Sequence, residues 1–196
     1  MVIIFEGPDN VGKSTQIDML RKAFHDFEIS TQVIHCSNFK FRTNIDDKYS
    51  IETKAKVLKE MSKRYYTKIM HVMNVYNTKD DNYESVLILD RSHLGETVYS
   101  PIYRNYSGDY VYELENIVEH PKKVFVITLV DKAENLISRE DGHSFSTNID
   151  QKNKEIEYFK KANSRTKFNS LLIDIDGLSI DRVFEKISNF VFNDRF

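Results

Sequence analysis

Residues 2–15 read VIIFEGPDNVGKST: four apolar residues, Val2 to Phe5, run into a loop that carries Gly7 and Gly12 and ends in Lys13-Ser14. The chain has only six glycines, and two of them fall here, five positions apart. Glycine lets a loop turn sharply, so the backbone N–H groups can point inward around a polyphosphate. The stretch that follows, Lys13 to Phe27, has a helical pattern. Strand, glycine-spaced loop and helix N-terminus in that order suit a phosphate cradle, because loop amides and helix dipole then act on one anion. On this reading the phosphates fall to Gly7, Asn10, Val11, Gly12, Lys13, Ser14 and Thr15. Lys13 reaches the β- and γ-phosphates of a nucleoside triphosphate such as ATP, and Ser14 Oγ holds Mg²⁺.

At 196 residues the chain is long enough for one well-filled core and too short for two ordinary domains, so one domain over 1–196 is expected. Its 28 basic and 30 acidic residues nearly balance, which argues against an obligate polyanion binder and hence against a stable nucleic-acid partner. The one cysteine, Cys36, excludes a disulfide framework within the chain and suits a reducing compartment. No run approaches the roughly 18 apolar residues of a membrane span, and the N-terminus lacks a signal peptide's basic segment and cleavage site. A cytoplasmic protein with no membrane partner is expected.

Short apolar runs alternate with longer helical patterns along the chain. Val2 to Phe5, Thr31 to His35, Ser85 to Leu89, Lys123 to Val130 and Ser170 to Asp174 predict strands, mostly continuous in hydrophobicity and so covered on both faces. Helices are predicted at Lys13 to Phe27, Glu52 to Asn77, about Asp109 to Glu119, Ile149 to Asn163 and Ser179 to Phe192. In the second of these Val57, Met61, Tyr65, Ile69, Val72 and Tyr76 draw one apolar stripe. Such alternation implies βαβ units and a parallel sheet with right-handed crossovers. The third strand ends in Leu89-Asp90-Arg91-Ser92, which brings Asp90 out at the carboxyl edge of the sheet, where open α/β sheets bind ligands. There a carboxylate can hold Mg²⁺, and Arg91 can neutralise a phosphate.

With these residues in place, the chain resembles the thymidylate kinase family of nucleoside monophosphate kinases. The likeness rests on Phe5-Glu6-Gly7-Pro8-Asp9 leading into the P-loop, Phe39-Lys40-Phe41-Arg42 after the second strand, Asp90-Arg91-Ser92 with Tyr99 beyond, and a polar stretch near Arg139. It implies an α/β P-loop NTPase fold with a five-stranded parallel sheet flanked by helices, a small lid at about 138–148, and a homodimer. It also implies roles. Asp9 contacts the sugar 3′-hydroxyl and lies near the accepting phosphate, Arg42 beside Phe39 holds that phosphate, and Arg91 bridges donor and acceptor, with Tyr99 nearby. Tyr65 or Tyr66 stacks on the base and Arg64 or a neighbour hydrogen-bonds it, Ser14 and Asp90 hold the metal, and the donor's adenine lies beside Asp176-Gly177-Leu178. Between Gly7 and Gly12 there is no basic residue, so Arg139 is expected to bring the catalytic arginine from the lid, with Lys13, Asp9 and Arg91 as the other catalytic groups.

Two positions depart from the family pattern: Ser92 stands where an aromatic is usual and Ser100 where a polar amide is usual. Asp-Arg-Ser is also similar to the Glu-Arg-Ser of deoxynucleoside kinases, which phosphorylate the nucleoside itself. The expected reaction is ATP-dependent phosphorylation of dTMP or a related pyrimidine deoxynucleoside monophosphate, with the nucleoside kinase as the alternative. A GTP switch would need Asn-Lys-x-Asp, whereas Asn77-Thr78-Lys79-Asp80 has the wrong order. A DNA-acting ATPase would need a basic stripe that the charge balance does not offer.

Overall fold

The computed structural model describes residues 1–36, 49–77, 85–142 and 144–192. β1 (Val2–Glu6) leads to α1 (Lys13–Asp26), β2 (Ser30–His35), α2 (Ile51–Tyr76), β3 (Ser85–Asp90), α3 (Leu94–Tyr103) and the short α4 (Val111–Leu114). β4 (Val124–Val130), α5 (Ala133–Ser138), α6 (Ile149–Arg165), β5 (Asn169–Asp174) and α7 (Ile180–Phe192) complete the chain. The strands form one five-stranded sheet in the order β2-β3-β1-β4-β5, and every pairing is parallel.

β1 lies at the centre and is buried throughout, which its unbroken apolar run requires. Strand alternation divides the core in two. Ile3, Phe5, Ile88 and Ile127 join α1, α7 and the inner sides of α3 and α6 on one face, while Val2, Ile4, Leu87, Leu89 and Val126 meet α2 and α4 on the other. Each such side chain stabilises the fold by about 1.5–3 kcal/mol. The expected burial on both faces holds for β1, β3 and β4, whereas β2 and β5, at the sheet edges, are partly exposed.

Several expectations needed correction. The stripe on α2 is rotated: Ala55, Ser62, Tyr66, Ile69, Met70 and Met73 are its buried residues, and Val57 is exposed. Asp109 to Glu119 is only the single turn of α4 followed by a 3₁₀ turn at Glu115–Ile117. Two helices, α3 and α5, had no counterpart in the pattern. α3 is buried from Leu94 through Ser100, so it lacks the polar face that gives a helix its periodic signature, and Pro101 interrupts it.

Candidate active site

The P-loop, Gly7 to Gly12, joins β1 to α1 at the carboxyl edge of the sheet. Gly7 has φ +135°, and a Cβ there would come within 2.2 Å of Leu129 O on β4, so only glycine fits. Gly12, at φ +89°, is the residue before α1 and lends it no side-chain cap. The first amides of the helix therefore stay open to an anion. Lys13 is buried and donates to Gly7 O at 3.0 Å and Pro8 O at 2.6 Å. Burial, reinforced by the Arg91 charge, lowers its pKa to about 7.

β3 delivers Asp90, and the chain then turns through Arg91 with φ +68°, a strained conformation for an arginine. Arg91 N donates to Phe5 O at 2.8 Å. Its guanidinium is ion-paired with Asp9 and donates to Tyr99 OH at 3.4 Å. The turn is held by a residue the sequence had marked only as part of a motif. Glu6 is buried, and its Oε1 accepts from Ser92 N at 2.9 Å and Leu94 N at 3.1 Å. Burial raises the Glu6 pKa against the pull of His93, Arg91 and Lys13. An acid inside an otherwise apolar strand, Val2–Phe5 and then Glu6, was the available signal.

Arg139 closes α5. It is ion-paired with the buried Asp131, the residue after β4, and donates to Asn10 O at 3.2 Å. The next residues fold back on themselves, Glu140 Oε1 accepting from Gly142 N and Ser144 N, while Asn10 Nδ2 reaches Glu140 at 3.4 Å. Thus the segment after α5 rests on the P-loop.

These groups face one cleft of about 500 Å³, lined by Asp9, Asn10, Gly12, Lys13, Ser14, Thr15, His35, Asp90, Arg91, Arg139 and Asp141. A second, of about 380 Å³, shares Asn10, Gly12, Thr15 and Arg139 with it and continues between Val11, Leu129, Ile175, Gly177 and Leu178. The residues fit a divalent cation at the first cleft. Ser14 is exposed there, and Asp90 Oδ1 is buried without a hydrogen-bond partner among the described residues, an arrangement that a cation or its water would satisfy.

The other expected residues fall elsewhere. Tyr66 is buried, edge-to-face with the half-buried Tyr65 at 5.3 Å, and neither lines the two clefts. Arg64 is exposed, about 200° round α2 from Tyr66 at about 100° per residue. Tyr99 is buried against Tyr103, Phe145 and Phe159. Ser92 and Ser100 are both buried and line neither cleft. Phe39 and Arg42 lie outside the described residues, as does most of the segment between β2 and α2.

The geometry agrees with three comparisons. Among curated proteins, the thymidylate kinase of Campylobacter lari is 26% identical over 97% of this chain and 99% of its own length. Among solved structures, the Bacillus subtilis YorR protein, in complex with phosphorylated GDP, superposes with a TM-score of 0.61 at 19% identity, covering 99% of this chain and 97% of that one. Thymidylate kinase from Candida albicans gives 0.60 at 15% identity, covering 99% and 92%. No helix among the described residues is long and apolar enough to cross a membrane. The family model for thymidylate kinase matches residues 5–187, and with the end of β1, the P-loop and the Asp90-Arg91 turn inside that span, the chain belongs to the thymidylate kinase family of ATP-dependent nucleoside monophosphate kinases.

Proposed function

We propose that the chain transfers the γ-phosphoryl group of ATP to dTMP, or to a related pyrimidine deoxynucleoside monophosphate, giving ADP and the diphosphate. The observation that carries this reading is that the donor-side residues Gly12 to Thr15 and the acceptor-side pair Asp9 and Arg91 line the same cleft of about 500 Å³. In the transfer the bond from the γ-phosphorus to the β,γ-bridging oxygen breaks, and one forms to an oxygen of the acceptor's phosphate. That oxygen is already anionic at neutral pH, so positioning and charge neutralisation suffice.

Lys13 leaves the loop carbonyls for the β- and γ-phosphates, and Arg91, held by Asp9, spans the two nucleotides. Ser14 and Asp90 would hold Mg²⁺, which supplies neutralisation of the β,γ-phosphates when bound. Arg139 exchanges Asp131 for the transferring group as the lid segment closes. Adenine fits the second cleft beside Gly177 and Leu178, where the apolar Val11, Leu129 and Ile175 can cover a base. Arg42 and Phe39 remain assigned to the acceptor. A phosphoryl-transfer assay over the deoxynucleoside monophosphates and the matching nucleosides tests this reading. Turnover of dTMP is expected, and turnover of thymidine without dTMP overturns it in favour of a nucleoside kinase.

A further inference from the structure

The strand register puts a second functional side chain at the sheet edge. β2 and β3 pair so that His35 lies directly beside Asp90, and Cys36 N continues the ladder to Asp90 O at 2.9 Å. A slip of one residue would set Ile34 or Cys36 there instead. Across this pair His35 Nδ1 approaches Asp90 Oδ2 at 2.7 Å. An ionised carboxylate can only accept, so Nδ1 carries the proton and donates. Asp90 Oδ1 is buried and has no hydrogen-bond partner among the described residues, and both residues line the cleft with Ser14.

From this arrangement we infer that His35 is a positioning residue for the metal: its Nδ1–H anchors one carboxylate oxygen of Asp90 and leaves the other directed at the divalent cation that accompanies the nucleotide. This rests on the reading of Asp90 as a metal-holding group. A carboxylate on a single Cβ can swing about χ2, and the cation's hold depends on how much of that freedom is removed in advance. The anchor costs the fold little, since the His35 side chain is 59% exposed and contributes nothing to either core cluster.

The test uses Mn²⁺ as the probe, its binding to the full chain measured by electron paramagnetic resonance with a non-hydrolysable ATP analogue present, alongside analogue binding without metal. His35→Ala is expected to weaken Mn²⁺ binding on the order of 10-fold or more, as loss of such outer partners does, with metal-free nucleotide binding unchanged. His35→Asn places an amide N–H near the position of Nδ1 and is expected to restore most of the loss. An alanine variant equal to wild type, or an asparagine variant as weak as alanine, overturns the inference while leaving the kinase reading intact. Mn²⁺ that fails to bind the wild-type complex overturns both.

Discussion

Lys13 is the lysine of the P-loop cleft. It is buried and satisfied by Gly7 O and Pro8 O, with its pKa brought down to about 7 by burial and by Arg91. A triphosphate would replace those carbonyls with negative charge and raise the pKa again. At pH 8 a lysine of pKa about 7 is roughly nine-tenths neutral, so nucleotide binding is expected to take up close to one proton. Calorimetry in buffers of different ionisation enthalpy reads this directly, and the uptake should vanish in Lys13→Met. In the same way Lys13 opposes stability most below pH 7, and the penalty is relieved as pH rises from about 7 towards its unfolded pKa near 10.5. Lys13→Ala should lower kcat by roughly 10² or more with the fold intact, because its charge acts most strongly in the transition state. A folded variant with near-normal kcat would remove the P-loop from the chemistry. Lys13, Ser14 and Asp90 were legible in the sequence because local spacing sets their places. Glu6 and His35 were not, since their partners lie 86 and 55 residues away and no periodicity reports on them.

At the level of elements, the turn from β3 into α3 and the segment after α5 border the cleft. Glu6 ties the start of α3 to β1 through two backbone N–H groups. Glu6→Ala leaves both donors buried and unpaired, a loss of about 2–4 kcal/mol, and thermal unfolding should show Tm falling on the order of 5–10 °C for a chain of this size. Glu6→Gln keeps an acceptor oxygen and should retain most of that stability. If alanine and glutamine behave alike, the two hydrogen bonds do not hold the turn. For the lid, Arg139→Ala should lose about 10³ in kcat with little change in ATP affinity, and Arg139→Lys should recover little, because the planar fork is lost. Full activity in the alanine variant would reduce Arg139 to a structural partner of Asp131. These elements were the least legible ones. α3 is buried on every side through Ser100, and α5 spans only Ala133–Ser138, too short for its periodicity to register.

At the level of the molecule, parallel strands with continuous apolar runs dictated the class of fold, and β1 with its loop dictated where the site lies. The strand order β2-β3-β1-β4-β5 is not written in any local stretch. It follows from which faces must be covered and from right-handed crossovers acting together. Its consequence is that β1, β3 and β4 end side by side, bringing the P-loop, Asp90-Arg91 and Asp131 with its partner Arg139 around one volume. On the function proposed above, this single volume holds both nucleotides with their phosphates head to head. Inhibition by an adenosine and a thymidine joined through five phosphates tests it most directly. Competition against both ATP and dTMP is expected, with affinity far above that of either nucleotide alone because the second contact becomes intramolecular. Competition against ATP only, with affinity no better than that of ATP, would contradict it.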